Sequence, residues 1–231
     1  TQDWISIGMR GLNMEIERQV LPDGLHYESS LNYHKFVLET LLVTGILSKN
    51  YGLELSSKYS KSVSKMCDAV IGLTRPDGQL PMIGDSDNGR LAVLSGYYLN
   101  RSDNNHDMLA LGAFLLNRED LKCLSKDNLG ELFWLIDSAN LSSFVQATEK
   151  FSIPEYQHYK YGGLCVLQNR ERKDFILFRT DWPEGECPTG HRHNDLLSLE
   201  IWLNGDPITV DPGTVSYTHL RAHETDSYLV C

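Results

Sequence analysis

The sequence predicts an α+β fold in which a run of helices comes first and an antiparallel sheet follows. Three observations carry this reading. Up to about residue 150, apolar residues recur at the three- and four-residue spacing of a helix face. Beyond it they alternate with polar residues, the period of a strand with one buried face. Between two such runs stands Asn204-Gly205, the pair favoured in a two-residue hairpin turn. Helices followed by strands, without alternation, point to segregated layers rather than a doubly wound parallel sheet.

The elements follow in order. Residues 4–21 place Trp4, Ile7, Leu12, Ile16 and Val20 at loosely helical spacing, and Pro22-Asp23-Gly24 ends the segment. Residues 28–50 repeat the pattern more strongly, with Tyr33, Phe36, Val37, Leu41 and Ile46 as the apolar face. Ser56 or Ser57 caps a third helix that turns Val63, Met66, Cys67, Val70 and Ile71 inward, and Pro76-Asp77-Gly78 stops it. A Gly/Asp-rich loop follows, and helices are expected over 91–99, 107–117 and 120–136. In the second part, 163–168 and 175–179 read as strands split by a charged turn. Leu197, Leu199, Ile201 and Leu203 then alternate with Ser198, Glu200 and Trp202. The hairpin returns along 207–210 and closes at Asp211-Pro212-Gly213.

The bulk numbers exclude some classes. With 231 residues, 41% of them hydrophobic and 23% charged, the chain suits one large domain or two small ones. A net charge of −10 argues against nucleic acid as a partner. It also weighs against a polyanionic ligand, unless a local basic cleft overrides the net value. There is no uncharged apolar run of about 18 residues, so no membrane span is expected. The opening TQDWISIGMR has no basic stretch followed by an apolar one, so no signal peptide shows, and without an initiator Met the true start is expected upstream. Cys67, Cys123, Cys165, Cys187 and Cys231 make an odd, widely spaced set without a C-x-x-C pair and read as free thiols.

Three clusters could carry chemistry. The first runs from Asp23 to His34 and packs two His, two Tyr and a Glu around a helix start. Tyr33 and His34 are adjacent, so on a helix they point about 100° apart and only one can face a given cleft. Tyr33 as a core aromatic with His34 on the surface is the plain alternative. The second cluster, Gly84 to Arg90, opens like a calcium loop but has Gly96 where the twelfth position needs Glu. It reads as a polar turn or as the rim of a cleft. The third is His191-Arg192-His193-Asn194-Asp195, with Asp211 beyond the hairpin. In an extended chain His191 and His193 share a face, and two imidazoles with a carboxylate suit zinc or proton transfer.

These clusters carry a resemblance. HRHNDLLSLEIWLNGDPITVDPG closely resembles the H-x-H-x-D-LLS…NG-P…VDPG signature of the heparinase II/III-like polysaccharide lyases. DGLHYESSLNYH resembles their helical-domain motif DG-x-H-x-E-x-S-x-x-YH, and IGDSDNGR resembles a third segment. The resemblance implies a partial (α/α) toroid over 1–148 and the start of an antiparallel β-sandwich domain over 149–215. It implies β-elimination of uronic-acid glycans such as heparan sulfate or alginate, with an acidic polysaccharide as partner. Tyr33 matches the catalytic tyrosine and His191 the β-domain histidine of the active site. Glu28, His34 and Arg90 are the expected substrate-binding residues. His193 and Asp211 match two ligands of a structural zinc.

Two departures accompany it. The family's Asn/His pair for the substrate carboxylate falls before residue 1, and its third zinc histidine belongs to a later segment absent here. Residues 216–231 resemble translated sequencing-adapter read-through, so they are expected to be a non-native tail that packs poorly, and the chain is expected to be an inactive fragment. The full-length protein is expected to be bacterial and to act in the periplasm or outside the cell. Two other functions compete. An (α/α)-toroid glycoside hydrolase would use paired carboxylates, Asp85 with Asp87 or Glu28. A non-catalytic glycan-binding protein of a capsule pathway would keep the fold without needing Tyr33.

Overall fold

Two serines open the central helices. In the computed structural model, which describes residues 2–86, 89–91, 94, 105–125, 129–144, 153–181 and 189–213, Ser30 is extended and its Oγ accepts the Tyr33 N–H at 3.2 Å. Ser56 does the same for Tyr59 at 3.0 Å, which decides between the two candidate caps. The helices are α1 (Gln2–Gln19), α2 (Leu31–Asn50), α3 (Ser57–Leu73), α4 (His106–Leu116), α5 (Glu119–Ser125), α6 (Gly130–Leu135) and α7 (Ser138–Phe144). Leu38, Leu42 and Ile46 of α2 meet Val63, Met66, Cys67 and Val70 of α3, with Leu111, Leu121 and Leu132 closing the cluster. Burying each such side chain contributes about 1.5–3 kcal/mol.

Three helical expectations change. The buried stripe of α2 is Leu31, His34, Leu38, Leu41, Leu42 and Ile46, while Tyr33, Phe36 and Val37 are only half-buried. The face is rotated by one residue, which exchanges Tyr33 for His34. The single helix expected over 120–136 is two, α5 and α6; Ser125 at the end of α5 turns its hydroxyl back onto the Lys122 carbonyl, the local competition that shortens helices. The helix expected over 91–99 lies outside the described residues except for Leu91 and Leu94.

The sheet is a five-stranded antiparallel meander in the order β1-β2-β3-β4-β5: Tyr156–Tyr159, Leu164–Asn169, Asp174–Arg179, Leu199–Leu203 and Asp206–Thr209. The first strand was not expected, because YQHY has no apolar alternation to announce it. Asn204 and Gly205 both take positive φ, 55° and 90°, as the tight hairpin requires. The register of β4 differs from the apolar pattern. Glu200 and Trp202 face inward, at 3% and 7% exposure, while Leu199 and Leu203 face out. The partner that makes this possible is Arg75, whose guanidinium lies 3.8 Å from Glu200 and 5.3 Å from the centre of the Trp202 ring.

A second core joins the two parts. Leu25, Leu31, Ala69, Leu73, Leu80 and Ile83 from the helical side pack on Tyr159, Leu164, Val166, Phe175, Leu177 and Trp202 of the sheet. Polar links reinforce it. Asp23 Oδ2 accepts the backbone N–H groups of Tyr161 and Gly162 at 2.7 and 2.8 Å. Arg170 donates to the Ile71 carbonyl at 2.7 Å, near the end of α3.

Candidate active site

At the edge of this shared core three loops meet. The chain leaves α1, folds back on itself with Leu21 N–H donating to Leu25 O at 2.8 Å, and enters α2 through Ser30. The loop Ile83–Ser86 lies across that entrance, with Leu31 N–H donating to Ile83 O at 3.1 Å and Ser30 Oγ donating to Asp85 O at 2.8 Å. From the sheet side, the short 3-10 turn Thr189–His191 closes over the same loop, and Asp85 N–H donates to His191 O at 2.9 Å. Gly84 is required at the crossing. Its φ is +69°, and a Cβ there would stand 2.7 Å from His191 O and 2.8 Å from Ser29 O.

This backbone arrangement brings side chains from distant segments together. The Tyr33 ring stacks on the His191 imidazole, with 3.9 Å between centroids and 21° between planes. His191 Nδ1 is 3.0 Å from Asp85 Oδ2, and its Nε2 is 3.9 Å from Glu28 Oε2. His193 Nε2 is 2.8 Å from the other oxygen of Asp85. Glu28, Asp85, His191 and His193 all keep partial solvent exposure, so the group lies at the surface of the junction. A phenol, two imidazoles and two carboxylates so placed can hold and transfer a proton next to a bound chain.

Beneath the pair sit two histidines with another role. His34 is 1% exposed and its Nε2 meets Met66 O at 3.2 Å. Burial lowers its pKa to about 4. His26, 3% exposed, is lowered to about 3 by burial first, then by the neighbouring His34 and His191. Both are therefore neutral near pH 7. His34 was expected to bind substrate; instead its ring is buried against α3 and offers no surface to a sugar. Arg90 is likewise committed, with Nε 2.8 Å from Glu39 and a second guanidinium nitrogen 3.9 Å from Glu131, both carboxylates buried. Its charge is matched inside the helical part, which argues against the substrate contact expected of it.

Asp195 is the residue under the third loop. Its Oδ2 accepts the Gly84 N–H at 3.2 Å. Burial pushes its pKa up, against the pull of Arg179 and His193; Asp211 pushes it up further, and the Gly84 N–H pulls it down. His193 and Asp211 thus both act on Asp195. Asp211 itself accepts the Gly213 N–H and donates its own N–H to Glu200. As a zinc site, His193 and Asp211 are donors of a suitable type. Among the described residues, however, no group of three or more His, Cys, Asp or Glu side chains could hold a metal ion. The pair is an incomplete donor set, and no chemical step below runs through a metal.

The sequence reading missed Asp85 as a partner of the histidines and gave Asp195, a member of the third cluster, no role of its own. Its signal was present: IGDSDNGR and the Asp of H-R-H-N-D belong to the motifs, but a motif does not say which member faces which. Of the carboxylates needed by the hydrolase reading, Asp85 is held between two imidazoles and Asp87 lies outside the described residues. Among the described residues, Cys67, Cys123 and Cys165 form no disulfide, and Cys187 and Cys231 lie outside those residues. Among the described residues no helix is long and apolar enough to cross a membrane.

Comparison with known proteins agrees with this layout. The family profile described as Heparinase II/III N-terminus matches residues 1–105, and that described as Heparinase II/III-like, C-terminal matches 154–228. The second match runs into the segment expected to be foreign. A heparin-sulfate lyase of Pedobacter heparinus is 35% identical over 85 residues, which is 36% of this chain and 13% of that protein. A mutant of heparan sulfate lyase HepC from Pedobacter heparinus superposes with a TM-score of 0.70 at 20% identity, over 96% of this chain and 30% of its own. A heparinase III superposes at 0.68 with 18% identity, over 94% and 30%. This chain therefore spans under a third of the length of those relatives, and at such identity the likeness speaks for the fold.

Proposed function

The chain belongs to the heparinase II/III-like family, and on that premise we propose that it carries the junction site of a polysaccharide lyase that cleaves uronic-acid glycans by β-elimination. The observation that supports this best is the stack of Tyr33 on His191 where the helices meet the sheet. In β-elimination a base removes the C5 proton of a uronate, the electron pair forms the C4=C5 bond, and the C4–O4 bond breaks as an acid protonates O4. An ordinary phenol has a pKa near 10 and is protonated at neutral pH, which suits Tyr33 as the acid. To remove the C5 proton it must first be a phenolate, a form that a hydrogen-bond donor or a cation at its oxygen favours, and His191 is the ring stacked against it.

The finer architecture belongs to the same proposal. An (α/α) toroid accounts for the antiparallel helices. A β-sandwich accounts for the apolar outer face of the sheet, where Leu167, Leu199, Leu203 and Ile208 are exposed and suit a second layer. A structural zinc would take His193, whose Nδ1 is left for it because Nε2 is turned to Asp85, together with Asp211. Its task would be to brace the loop after His191 against β5. An acidic polysaccharide substrate implies action in the periplasm or outside the cell.

The test is a product assay. The full-length protein that carries this segment is incubated with heparan sulfate, for which the solved relatives are named, and with alginate, and unsaturated product is followed by its ultraviolet absorbance. New reducing ends without ultraviolet absorbance would indicate a hydrolase; binding without any new ends would indicate a glycan-binding protein.

A further inference from the structure

The lyase reading gives tasks to Tyr33 and His191 and leaves Asp85 without one. The geometry points to Asp85 as the positioning residue of this site: its one carboxylate holds both imidazoles of the β-part from the helical side and sets the tautomer of each. The catalytic consequence rests on the lyase reading; the tautomer assignment does not.

The argument begins with hydrogen-bond chemistry. An ionised carboxylate only accepts, so any ring nitrogen bonded to it must carry a hydrogen. His191 presents Nδ1 to Asp85 at 3.0 Å and His193 presents Nε2 at 2.8 Å. In their neutral forms the two rings are thereby set in opposite tautomers. His191 is Nδ1–H, with its lone pair on Nε2, the nitrogen on the side of Glu28. His193 is Nε2–H, with its lone pair on Nδ1. A histidine held in this way by a second residue has a defined ring orientation and a defined accepting atom.

Asp85 can do this because its own position is built. Its N–H donates to His191 O and its carbonyl accepts from Ser30 Oγ. Gly84 N–H is held by Asp195, and the left-handed turn at Gly84 has no room for a side chain. Ser30 links the two halves of the stack. Its Oγ donates to Asp85 O and accepts the N–H of Tyr33, so one hydroxyl fixes both the start of the helix that carries the phenol and the loop that aims the imidazole. The Asp85 side chain is 14% exposed, so water competes little for it.

The test reads tautomers directly. In the 15N-histidine-labelled chain, long-range imidazole correlations at a pH where both rings are neutral are expected to show His191 as Nδ1–H and His193 as Nε2–H, assigned with His191→Gln and His193→Gln. His191 found as Nε2–H in the unsubstituted chain overturns the proposal without any Asp85 variant, so a folding failure cannot shelter it. Asp85→Asn keeps the shape but offers one acceptor and one donor, and is expected to switch one of the two rings; both rings unchanged overturns the proposal. In turnover of the full-length protein, Asp85→Asn is expected to lower kcat by about 10–100-fold with KM within about twofold. Unchanged kcat in Asp85→Asn, where Tyr33→Phe abolishes turnover, overturns the positioning role. Absence of turnover in the unsubstituted full-length protein on every uronate glycan counts against the lyase reading alone, and the tautomer result then decides on Asp85.

Discussion

Tyr33 and His191 lie ring on ring, 3.9 Å between centroids, although one opens a helix of the first half of the chain and the other closes a turn before the fourth strand. Neither ring is brought to the other by its own neighbours in sequence. The phenol is set by the Ser30 cap, the imidazole by Asp85, and both by the shared core below.

Tyr33→Phe removes one oxygen and keeps the ring, so the stack and the helix should survive. We expect a melting temperature within a few degrees of the parent and, in the full-length protein, turnover lowered by about a hundredfold or more, the usual worth of a positioned acid or base. Ultraviolet product formation measures the second; turnover at the parent rate would remove Tyr33 from the mechanism.

Asp23→Ala should separate the two parts of the fold energetically. It strips the acceptor from the Tyr161 and Gly162 N–H groups at the junction. We expect a loss of about 2–4 kcal/mol in urea unfolding, with Asp23→Asn retaining part of it because an amide oxygen still accepts. Equal stability of all three proteins would mean that water replaces this carboxylate without cost.

His26 and His34 predict the direction of acid sensitivity. Their folded pKa values, about 3 and about 4, lie below the ordinary 6.5 of an unfolded histidine. The unfolded chain therefore takes up protons that the folded chain refuses. Their contribution to stability is complete above pH 6.5 and is lost as pH falls from there toward 4 and then 3, by about 1.4 kcal/mol per pH unit for each histidine. Denaturant midpoints across that range should show the fall, and His34→Gln should make it shallower. A slope identical in the variant would falsify the assignment of this sensitivity to His34.

Zinc, if it binds, should do so through His193 and Asp211. Added Zn2+ is expected to raise the melting temperature of the parent, and the rise should vanish in Asp211→Ala. A rise of the same size in that variant would place the ion elsewhere.

Much of this was written locally. The third helix's cap at Ser56 or Ser57, the inward set Val63, Met66, Cys67, Val70 and Ile71, and the Asn204-Gly205 hairpin are properties of a few consecutive residues, so spacing and turn chemistry were enough to read them. The three motifs named the site's segments for the same reason. Other decisions were made by contacts between segments far apart in the chain. The pattern on β4 favoured its leucines as the buried side. Arg75 at the end of α3 makes the opposite register favourable, because it neutralises Glu200 and covers Trp202. Tyr33 and His34 compete for one cleft by helix geometry alone. The shared core under α2 takes His34 and leaves Tyr33 to meet His191. Asp85 stood in sequence as a polar turn residue. It becomes the holder of two histidines only when the glycine before it lets its loop pass between the helix cap and the sheet. Local propensity sets what each segment can be; which face is buried and which side chains meet depend on partners that chain folding alone brings within reach.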